Sequence, residues 1–258
     1  MLDAHPPGTL APAMTAPLQH VSRQAVILAG GLATRMAART RDVPKFLLPV
    51  AGRPFGHRLL ERLAAYGYTD VVLCTGHLSD AIRKSVGDGR AFGLRVLISD
   101  EGAARLGTAG ALRHALQLLR STFLVTYGDS YLPFDYASPL DDLNAHPEAF
   151  GTMSVFRNED RWDSSNCEVS EDLVIRYEKR SPGSPRDAGL DYIDYGAIAL
   201  RREVIAAFAE GLSDLSVVQR DLAAVGHLRA LVATSRFHEI GSEAGLRDFE
   251  AFVVNHDR

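Results

Sequence analysis

A glycine-rich segment near the start of the chain has residues suited to binding a phosphate group. It reads Leu28-Ala29-Gly30-Gly31-Leu32-Ala33-Thr34-Arg35 and directly follows a short apolar run at residues 25–28. Because glycine lacks a Cβ, the backbone N–H groups of such a loop can approach phosphate oxygens closely. Arg35 presents a planar fork of donors to the same oxygens. A tight turn that binds nothing is the alternative explanation for two adjacent glycines.

Two other nucleotide-binding loops do not fit this segment. A Walker loop needs Gly-Lys-Ser or Gly-Lys-Thr at its end, and the chain has neither at the required spacing. A dinucleotide fingerprint needs a third glycine, which is missing here. It also needs an acidic residue at the end of the next strand, and that strand is predicted to end at Cys74. An enzyme that uses a nicotinamide cofactor is therefore disfavoured.

Lys45 is a second candidate for contacting phosphate. It lies in the apolar segment Val43-Pro44-Lys45-Phe46-Leu47-Leu48-Pro49-Val50, in which Pro44 interrupts regular structure. A lysine in such surroundings needs an anionic partner if it is buried. A solvated loop lysine is the alternative, and the closeness of Lys45 to the glycine loop favours the phosphate ligand.

An alternation of strands and helices is predicted to position these residues. Apolar strands are predicted at residues 25–28, 71–74, 94–98 and 123–126, with helices between them at 55–66, 78–86 and 108–119. This pattern indicates an α/β fold with a Rossmann-like, mostly parallel sheet flanked by helices. Ligands bind beyond the carboxyl ends of such strands. The glycine loop and Asp129 both follow predicted strand ends.

The second half of the chain has a different pattern. Short strands are predicted at residues 153–156, 168–169, 173–177 and 197–200, and helices at 202–209, 217–225 and 241–254. We therefore expect an added mixed-sheet lobe within one domain that spans residues 23–258. Residues 1–22, rich in alanine and proline, are expected to form a flexible N-terminal extension.

Composition narrows the classes of function. The net charge of −4 provides no basic field for nucleic acid, so an anionic ligand needs a local cationic pocket. No apolar run is long enough for a membrane span or a signal peptide, and a cytoplasmic protein is expected. Cys74 and Cys167 are too few and too far apart in sequence to suggest a disulfide framework.

Residues 25–50 resemble the family of nucleotidyltransferases that activate sugar 1-phosphates. That family carries a strand, a Gly-Gly-x-Gly-Thr-Arg loop and a Pro-Lys-x-x-x-Pro segment; here Ala33 replaces the third glycine. The resemblance continues in order through Leu106-Gly107-Thr108-Ala109-Gly110-Ala111-Leu112, Tyr127-Gly128-Asp129-Ser130, Tyr177-Glu178-Lys179, Tyr192-Ile193-Asp194-Tyr195-Gly196 and His238-Glu239-Ile240-Gly241-Ser242. It covers residues 24–252.

The resemblance implies an in-line attack of a sugar phosphate oxygen on the α-phosphorus of a nucleoside triphosphate, with pyrophosphate leaving. Such a displacement needs positioning and charge neutralisation more than a covalent nucleophile. By similarity, Arg35 and Lys45 hold the triphosphate and Lys179 holds the sugar phosphate.

The resemblance also implies a magnesium ion, bound by Asp129. The family usually supplies a second aspartate, and Glu239 takes that place here. Asp194 is the competing candidate for the same role. Carboxylate oxygens and substrate phosphates are the ligands that Mg²⁺ prefers.

The resemblance divides the remaining site residues between two substrates. Those assigned to the nucleotide are Leu28, Ala29, Gly30, Gly31, Thr34, Thr75, Gly107 and Thr108. Those assigned to the sugar phosphate are Glu178, Lys179, Asp194 and Gly196. Residues 106–110 look more like the guanylyl and cytidylyl branches, in which Gly107 and Gly110 leave space for a base and Thr108 caps a helix. GTP is preferred over CTP.

In its compactness, and in Tyr127-Gly128-Asp129-Ser130 and Glu239-Ile240-Gly241-Ser242, the chain looks most like the D-glycero-D-manno-heptose 1-phosphate guanylyltransferases of bacterial capsule and lipopolysaccharide synthesis. Mannose 1-phosphate is the competing sugar, and a cytidylyltransferase acting on a sugar or on phosphocholine is a further alternative. A catalytically silent nucleotide-sugar sensor is the alternative that is not an enzyme. A homodimer is compatible with this resemblance.

Overall fold

A computed structural model of the chain describes residues 22–31, 36–181 and 183–256. Within these ranges the strands are β1 (Arg23–Leu28), β2 (Pro49–Val50), β3 (Arg53–Pro54), β4 (Tyr68–Thr75), β5 (Arg95–Asp100), β6 (Thr122–Tyr127), β7 (Ser130–Tyr131), β8 (Gly151–Arg157), β9 (Cys167–Ser170), β10 (Leu173–Tyr177), β11 (Tyr192–Arg201), β12 (Leu228–Ala233) and β13 (His238–Glu239). The α-helices are α1 (Ala37–Thr40), α2 (Phe55–Ala65), α3 (Ser79–Val86), α4 (Gly107–His114), α5 (Ser138–Ala145), α6 (Arg202–Ala207), α7 (Leu215–Ala224) and α8 (Glu243–His256). The predicted N-terminal extension, apart from Ser22, lies outside the described residues.

A nine-stranded sheet forms the centre of the molecule, in the order β5-β4-β1-β6-β11-β8-β12-β10-β9. β1 is parallel to both β4 and β6, and β5 is parallel to β4. The predicted α/β fold with a mostly parallel first sheet is therefore confirmed. Because these four strands are parallel, their carboxyl ends meet at one edge, where a ligand site is expected.

The second half of the chain extends the same sheet. β11 runs antiparallel to β6 on one side and to β8 on the other, and β12 is parallel to β8. β9 pairs with β10 and also with the start of β11. The mixed section that the sequence predicts is thus joined to the parallel section through β11.

Helices cover both faces of the sheet. Along β1, Ala25 and Ile27 point into one apolar core and Val26 into the other, because successive side chains of a strand alternate between faces. Buried residues of α2, α3, α5 and α8 fill the first core, and those of α4, α6 and α7 fill the second. This double cover explains why the parallel strands are continuously apolar in sequence.

The helix predicted at residues 108–119 is shorter in the structure. α4 ends at His114, and a single 3-10 turn at Leu116–Leu118 follows it. The buried side chain of Gln24 donates to the Leu118 carbonyl at 2.9 Å and accepts the Arg120 N–H at 2.7 Å. These bonds satisfy the backbone where the chain turns into β6, in place of a further helical turn.

A two-stranded sheet of β7 and β13 lies beside the carboxyl end of β6. It brings the C-terminal part of the chain against the residues that follow β6. Among the described residues, no helix combines the length and the apolar character that crossing a lipid bilayer requires.

Candidate active site

The glycine loop leaves the sheet at the carboxyl edge. The N–H of Ala29 donates to the Cys74 carbonyl at 2.8 Å, which keeps the loop against β4. A Cβ at Gly30 would lie 3.3 Å from Oε1 of Glu101, so a close approach accounts for this glycine, whereas a Cβ at Gly31 would meet nothing within 4 Å.

The rest of the predicted phosphate loop, residues 32–35, lies outside the described residues. The roles of Thr34 and Arg35 stay predictions, as does any effect of Ala33.

Lys45 and Asp129 form an ion pair at the same edge of the sheet. Nζ of Lys45 lies 2.8 Å from Oδ2 of Asp129. Extended backbone at Pro44 leads into the turn that carries Lys45, and the buried side chain of Phe46 anchors this turn in the core. The structure thus brings together two residues that the sequence places 84 positions apart.

The ion pair lines a cavity of about 400 Å³. The residues around it are Leu28, Ala29, Gly30, Gly31, Lys45, Phe46, Cys74, Glu101, Arg105, Gly107, Thr108, Ala111, Tyr127, Gly128, Asp129 and Leu212. Six of the eight residues predicted to contact the nucleotide are among them. Of the other two, Thr34 is not described, and Thr75 is buried with its hydroxyl 2.8 Å from that of Ser79.

Glu101 is a cavity residue that the sequence analysis missed. Glu101 directly follows β5, as Asp129 follows the end of β6. A carboxylate at the end of a strand is the sequence feature by which Glu101 could have been found. Its Oε2 accepts the N–H of Leu106 at 3.2 Å.

Cys74 also lines the cavity. Burial raises the pKa of its thiol to about 12, and the Glu101 charge adds to the effect. The thiol therefore stays protonated and is not a nucleophile.

Asp129 and Glu239, the carboxylates predicted to hold magnesium, lie on neighbouring segments. Glu239 is opposite Ser130 in the pairing of β13 with β7, and the N–H of Ile240 donates to the Asp129 carbonyl at 2.9 Å. Within the described part of the chain, no group of three or more His, Cys, Asp or Glu side chains could hold a metal ion. Mg²⁺ usually takes one or two carboxylates together with substrate phosphates, so two carboxylates on adjacent segments have the chemistry to hold it only together with a polyphosphate.

Asp194, the competing metal candidate, is engaged by its neighbours. Its Oδ1 accepts the N–H of Gly196 at 2.8 Å, and its Oδ2 accepts Nε2 of Gln219 at 2.6 Å. Burial raises the pKa of Asp194. A carboxyl group that ionises less readily is a weaker magnesium ligand, so the burial and the two hydrogen bonds of Asp194 count against it as a metal ligand. Both metal roles stay predictions.

Tyr127 joins the cavity to the predicted sugar subsite. Tyr127 lines the cavity, and its Cδ2 lies 3.5 Å from where a Cβ at Gly196 would stand. Burial raises the pKa of the Tyr127 hydroxyl, and nearby carboxylates raise it further. These carboxylates are Asp194, Asp214, Asp129 and Glu239. Tyr127 therefore stays neutral.

Glu178 and Lys179, also assigned to the sugar phosphate, are exposed and do not line the cavity. Nζ of Lys179 lies 2.6 Å from Oδ2 of Asp214, and Glu178 accepts a hydrogen bond from Arg176 at 2.9 Å. Burial acts to raise the pKa of Asp214, but hydrogen bonds from Lys179 and Ser216 lower it overall. Lys179 is thus held by an ionised carboxylate.

Loop 208–214, which connects α6 to α7, covers the N-terminal end of α4. The carbonyl of Ser213 accepts the N–H groups of Ala109 and Gly110 at 3.0 and 3.2 Å. A Cβ at Gly110 would lie 2.5 Å from the Gly211 carbonyl oxygen. The expectation that Gly110 leaves space for a base was therefore wrong, because this loop fills that space.

Gly107 and Thr108 line the cavity but also serve the loop. Gly107 has a φ of +73°, and a Cβ there would lie 2.5 Å from the Ser213 carbonyl oxygen. Both the backbone conformation and the lack of space for a side chain therefore require glycine. The hydroxyl of Thr108 accepts the N–H of Leu215 at 2.7 Å and makes no capping bond at the start of α4. The predicted cap at Thr108 was wrong, because this side chain instead binds the start of α7.

Comparison with known proteins agrees with this geometry. The family model described as nucleotidyl transferase matches residues 24–166, which include the glycine loop, Lys45 and Asp129. The chain belongs to the nucleotidyl transferase family.

Two relatives within the nucleotidyl transferases differ in the base that their names specify. The chain is 38% identical over 126 residues to an N-acetylmuramate alpha-1-phosphate uridylyltransferase of Neisseria meningitidis serogroup B. This match covers 48% of this chain and 54% of the relative. It is 27% identical over 235 residues to the D-glycero-alpha-D-manno-heptose 1-phosphate guanylyltransferase of Campylobacter jejuni, covering 90% of this chain and 100% of the relative. The chain spans about half the length of the first relative and all of the second.

A solved structure shares the fold of this nucleotidyl transferase. HddC from Yersinia pseudotuberculosis, complexed with GMP-PN, has a TM-score of 0.71 and 25% identity, and the match covers 88% of this chain and 97% of HddC.

Proposed function

We propose that this nucleotidyl transferase transfers a nucleoside monophosphate from its triphosphate to a sugar 1-phosphate and releases pyrophosphate. The observation that carries the proposal is the Lys45–Asp129 ion pair inside the cavity at the carboxyl edge of the parallel strands. An oxygen of the sugar phosphate forms the new bond to the α-phosphorus, and the bond from that phosphorus to the pyrophosphate oxygen breaks. Such a transfer depends on positioned charges, and the cavity supplies both signs of charge.

The residues of the ion pair take different partners once a triphosphate is bound. Lys45 can exchange the Asp129 carboxylate for phosphate oxygens, a charge-assisted contact for which its Nζ is already positioned. Asp129 and Glu239 would then hold Mg²⁺, which supplies charge neutralisation to the polyphosphate when bound. Arg35, outside the described residues, is proposed as a second cation for the same phosphates.

GTP is the proposed nucleotide, and Glu101 supports this choice. The guanine edge presents two neighbouring N–H donors, whereas cytosine offers one amino group and uracil or thymine presents carbonyl oxygens beside a single N–H. A carboxylate accepts hydrogen bonds and repels carbonyl oxygens, so Glu101 suits guanine best. The guanylyltransferase relative and the HddC complex with GMP-PN also support it.

A manno-heptose 1-phosphate is the proposed acceptor. The heptose guanylyltransferase relative is matched along its whole length, and this supports the choice of sugar. We place the sugar beyond Tyr127, next to Asp194 and Gly196. Lys179, which pairs with Asp214, is proposed to turn to the sugar phosphate, because a phosphate group with two negative charges attracts the ammonium group more strongly than a carboxylate with one.

A substrate panel tests the proposed function. Pyrophosphate release is measured with magnesium, each of the four nucleoside triphosphates, and heptose, mannose, glucose or N-acetylmuramate 1-phosphate. Release with GTP and heptose 1-phosphate, absent when either is omitted, is the expected result. Faster release with another pair would correct the substrates. No release from any pair by protein that binds nucleotide would favour a sensor.

A further inference from the structure

Leu212 is an exposed leucine at the wall of the cavity. Its relative exposure is 81%, and it lines the same cavity as Lys45 and Asp129. A single exposed leucine is ordinary on a protein surface. An exposed leucine in a ligand cavity is different, because a bound molecule can cover it and remove its apolar surface from water.

The position of Leu212 is fixed by its neighbours in loop 208–214. Ser213 accepts two N–H groups from α4, and its own N–H donates to the Leu106 carbonyl at 2.9 Å. Gly211 packs against Gly110 on the other side. Since the residues before and after Leu212 are both held by α4, its side chain is presented to the cavity from a well-anchored backbone.

Leu212 stands at the end of the cavity that contains Glu101. Its Cδ1 lies 3.3 Å from where a Cβ at Gly107 would stand, and the preceding N–H, that of Leu106, donates to Glu101. Glu101 follows β5 and Asp129 follows β6, and these strands are three spacings apart in the sheet, which is about 14 Å. A nucleotide with its phosphates at Lys45 and Asp129 therefore has its base near Glu101 and Leu212.

We propose that Leu212 contacts the face of the nucleotide base and contributes to the affinity for any nucleoside triphosphate. This inference rests on the proposed function, since it takes the cavity as the nucleotide site. Glu101 meets the edge of the base and distinguishes bases, whereas the methyl groups of Leu212 cover a ring face that all bases share. This contact stabilises the bound base, while the phosphates bind at the other end of the cavity, near Lys45 and Asp129.

Binding of two probes to Leu212→Ala tests the proposal. GTP carries the base, and inorganic tripolyphosphate carries only the phosphates; both are titrated with magnesium. GTP is expected to bind roughly tenfold more weakly than to wild type, as for loss of most of one buried leucine side chain, with a similar loss for UTP. The affinity for tripolyphosphate is expected to stay unchanged. Leu212→Met, which keeps an apolar side chain, is expected to retain GTP binding.

Val225→Ala is the matched control, because Val225 is also exposed, at 64%, and lies outside the cavity. Unchanged GTP affinity in Leu212→Ala would overturn the inference and leave the proposed function standing. Equal losses for GTP and tripolyphosphate would overturn it as well, because they indicate a displaced loop. Failure of the wild-type protein to bind any nucleotide would overturn the proposed function itself.

Discussion

At the scale of single residues, Lys45 and Asp129 hold each other in place at the wall of the cavity. Their side chains are 17% and 35% exposed, so both remain accessible from the cavity. Groups that are already oriented lose little freedom when a ligand binds, which is the source of much electrostatic catalysis. The ion pair therefore keeps two opposite charges oriented in the cavity that is proposed to take a polyphosphate and its cation.

Glu101→Gln is predicted to change the preference among bases. The amide oxygen can still accept the N–H of Leu106, but the amide has lost the negative charge and gained N–H donors. We expect kcat/KM for GTP to fall by roughly 10- to 100-fold, with a smaller loss or a gain for UTP. Initial rates of pyrophosphate release with all four triphosphates measure this effect.

Glu148→Gln is the control for this prediction, because it neutralises an exposed carboxylate outside the cavity. An unaltered ratio of the GTP rate to the UTP rate in Glu101→Gln would show that this carboxylate does not contact the base.

At the scale of elements, loop 208–214 connects three parts of the site. It caps α4 through Ser213, presents Leu212 to the cavity, and ends at Asp214, which caps α7 by accepting the Ser216 N–H at 2.9 Å. Asp214 also holds Lys179. The cavity and the residue proposed for the sugar phosphate are thus joined by one short segment.

Gly110→Ala is predicted to displace loop 208–214. The new Cβ would lie 2.5 Å from the Gly211 carbonyl oxygen, so the loop must move from α4. We expect a loss of about 1–3 kcal/mol in the free energy of unfolding, as for overpacked sites, and a raised KM for the triphosphate. Chemical denaturation and steady-state rates measure the two effects. Wild-type values for both would mean that the loop is not held as described.

The elements that the sequence predicts well are those with a clear apolar period. The helix predicted at residues 55–66 and the strand at 173–177 agree closely with α2 and β10. α5 is missed because its apolar residues are few and interrupted by polar ones. β12 is missed although five of its six residues are apolar, so its sequence did carry the signal of a strand. The break after α4 is missed because it depends on Gln24, a residue of a distant strand whose side chain satisfies the Leu118 carbonyl.

The candidate site is predictable in part for a similar reason. Lys45 and Asp129 are found because each follows a local pattern, a proline-bounded segment and a strand end. Leu212 is missed because it belongs to an irregular loop, and only the bonds between Ser213 and α4 bring it to the cavity. Local patterns identify ligands at strand ends, whereas loop walls depend on tertiary contacts.

At the scale of the whole molecule, an ion pair and a hydrogen bond join the mixed section of the sheet to α5. Asp142 accepts hydrogen bonds from Arg229 at 2.8 Å and from Thr152 at 2.8 Å. Burial acts to raise the pKa of Asp142, but the hydrogen bonds from Arg229 and Thr152 lower it overall. Because the folded-state pKa lies below the unfolded value of about 3.9, this carboxylate stabilises the fold above about pH 4. That contribution is lost as the pH falls through the folded-state pKa.

Asp142→Asn is therefore predicted to make the stability of the fold depend less on pH in the acidic range. Its thermal midpoint should be lower than that of wild type at pH 7 and should fall less steeply between about pH 5 and pH 2. Thermal unfolding followed across this range gives the slopes. Asp141→Asn is the control, since Asp141 pairs with Arg23 at the surface, where ion pairs contribute little. Equal slopes in wild type and Asp142→Asn would refute the assignment.

The proposed transfer reaction depends most on Asp129, which acts beside Lys45. The most direct measurement compares wild type, Asp129→Asn and the exposed control Asp221→Asn for pyrophosphate release from GTP and heptose 1-phosphate, and for GTP affinity, with magnesium. We predict that Asp129→Asn lowers the rate by roughly 100-fold or more while GTP still binds, and that Asp221→Asn changes neither. A wild-type rate in Asp129→Asn would contradict the account.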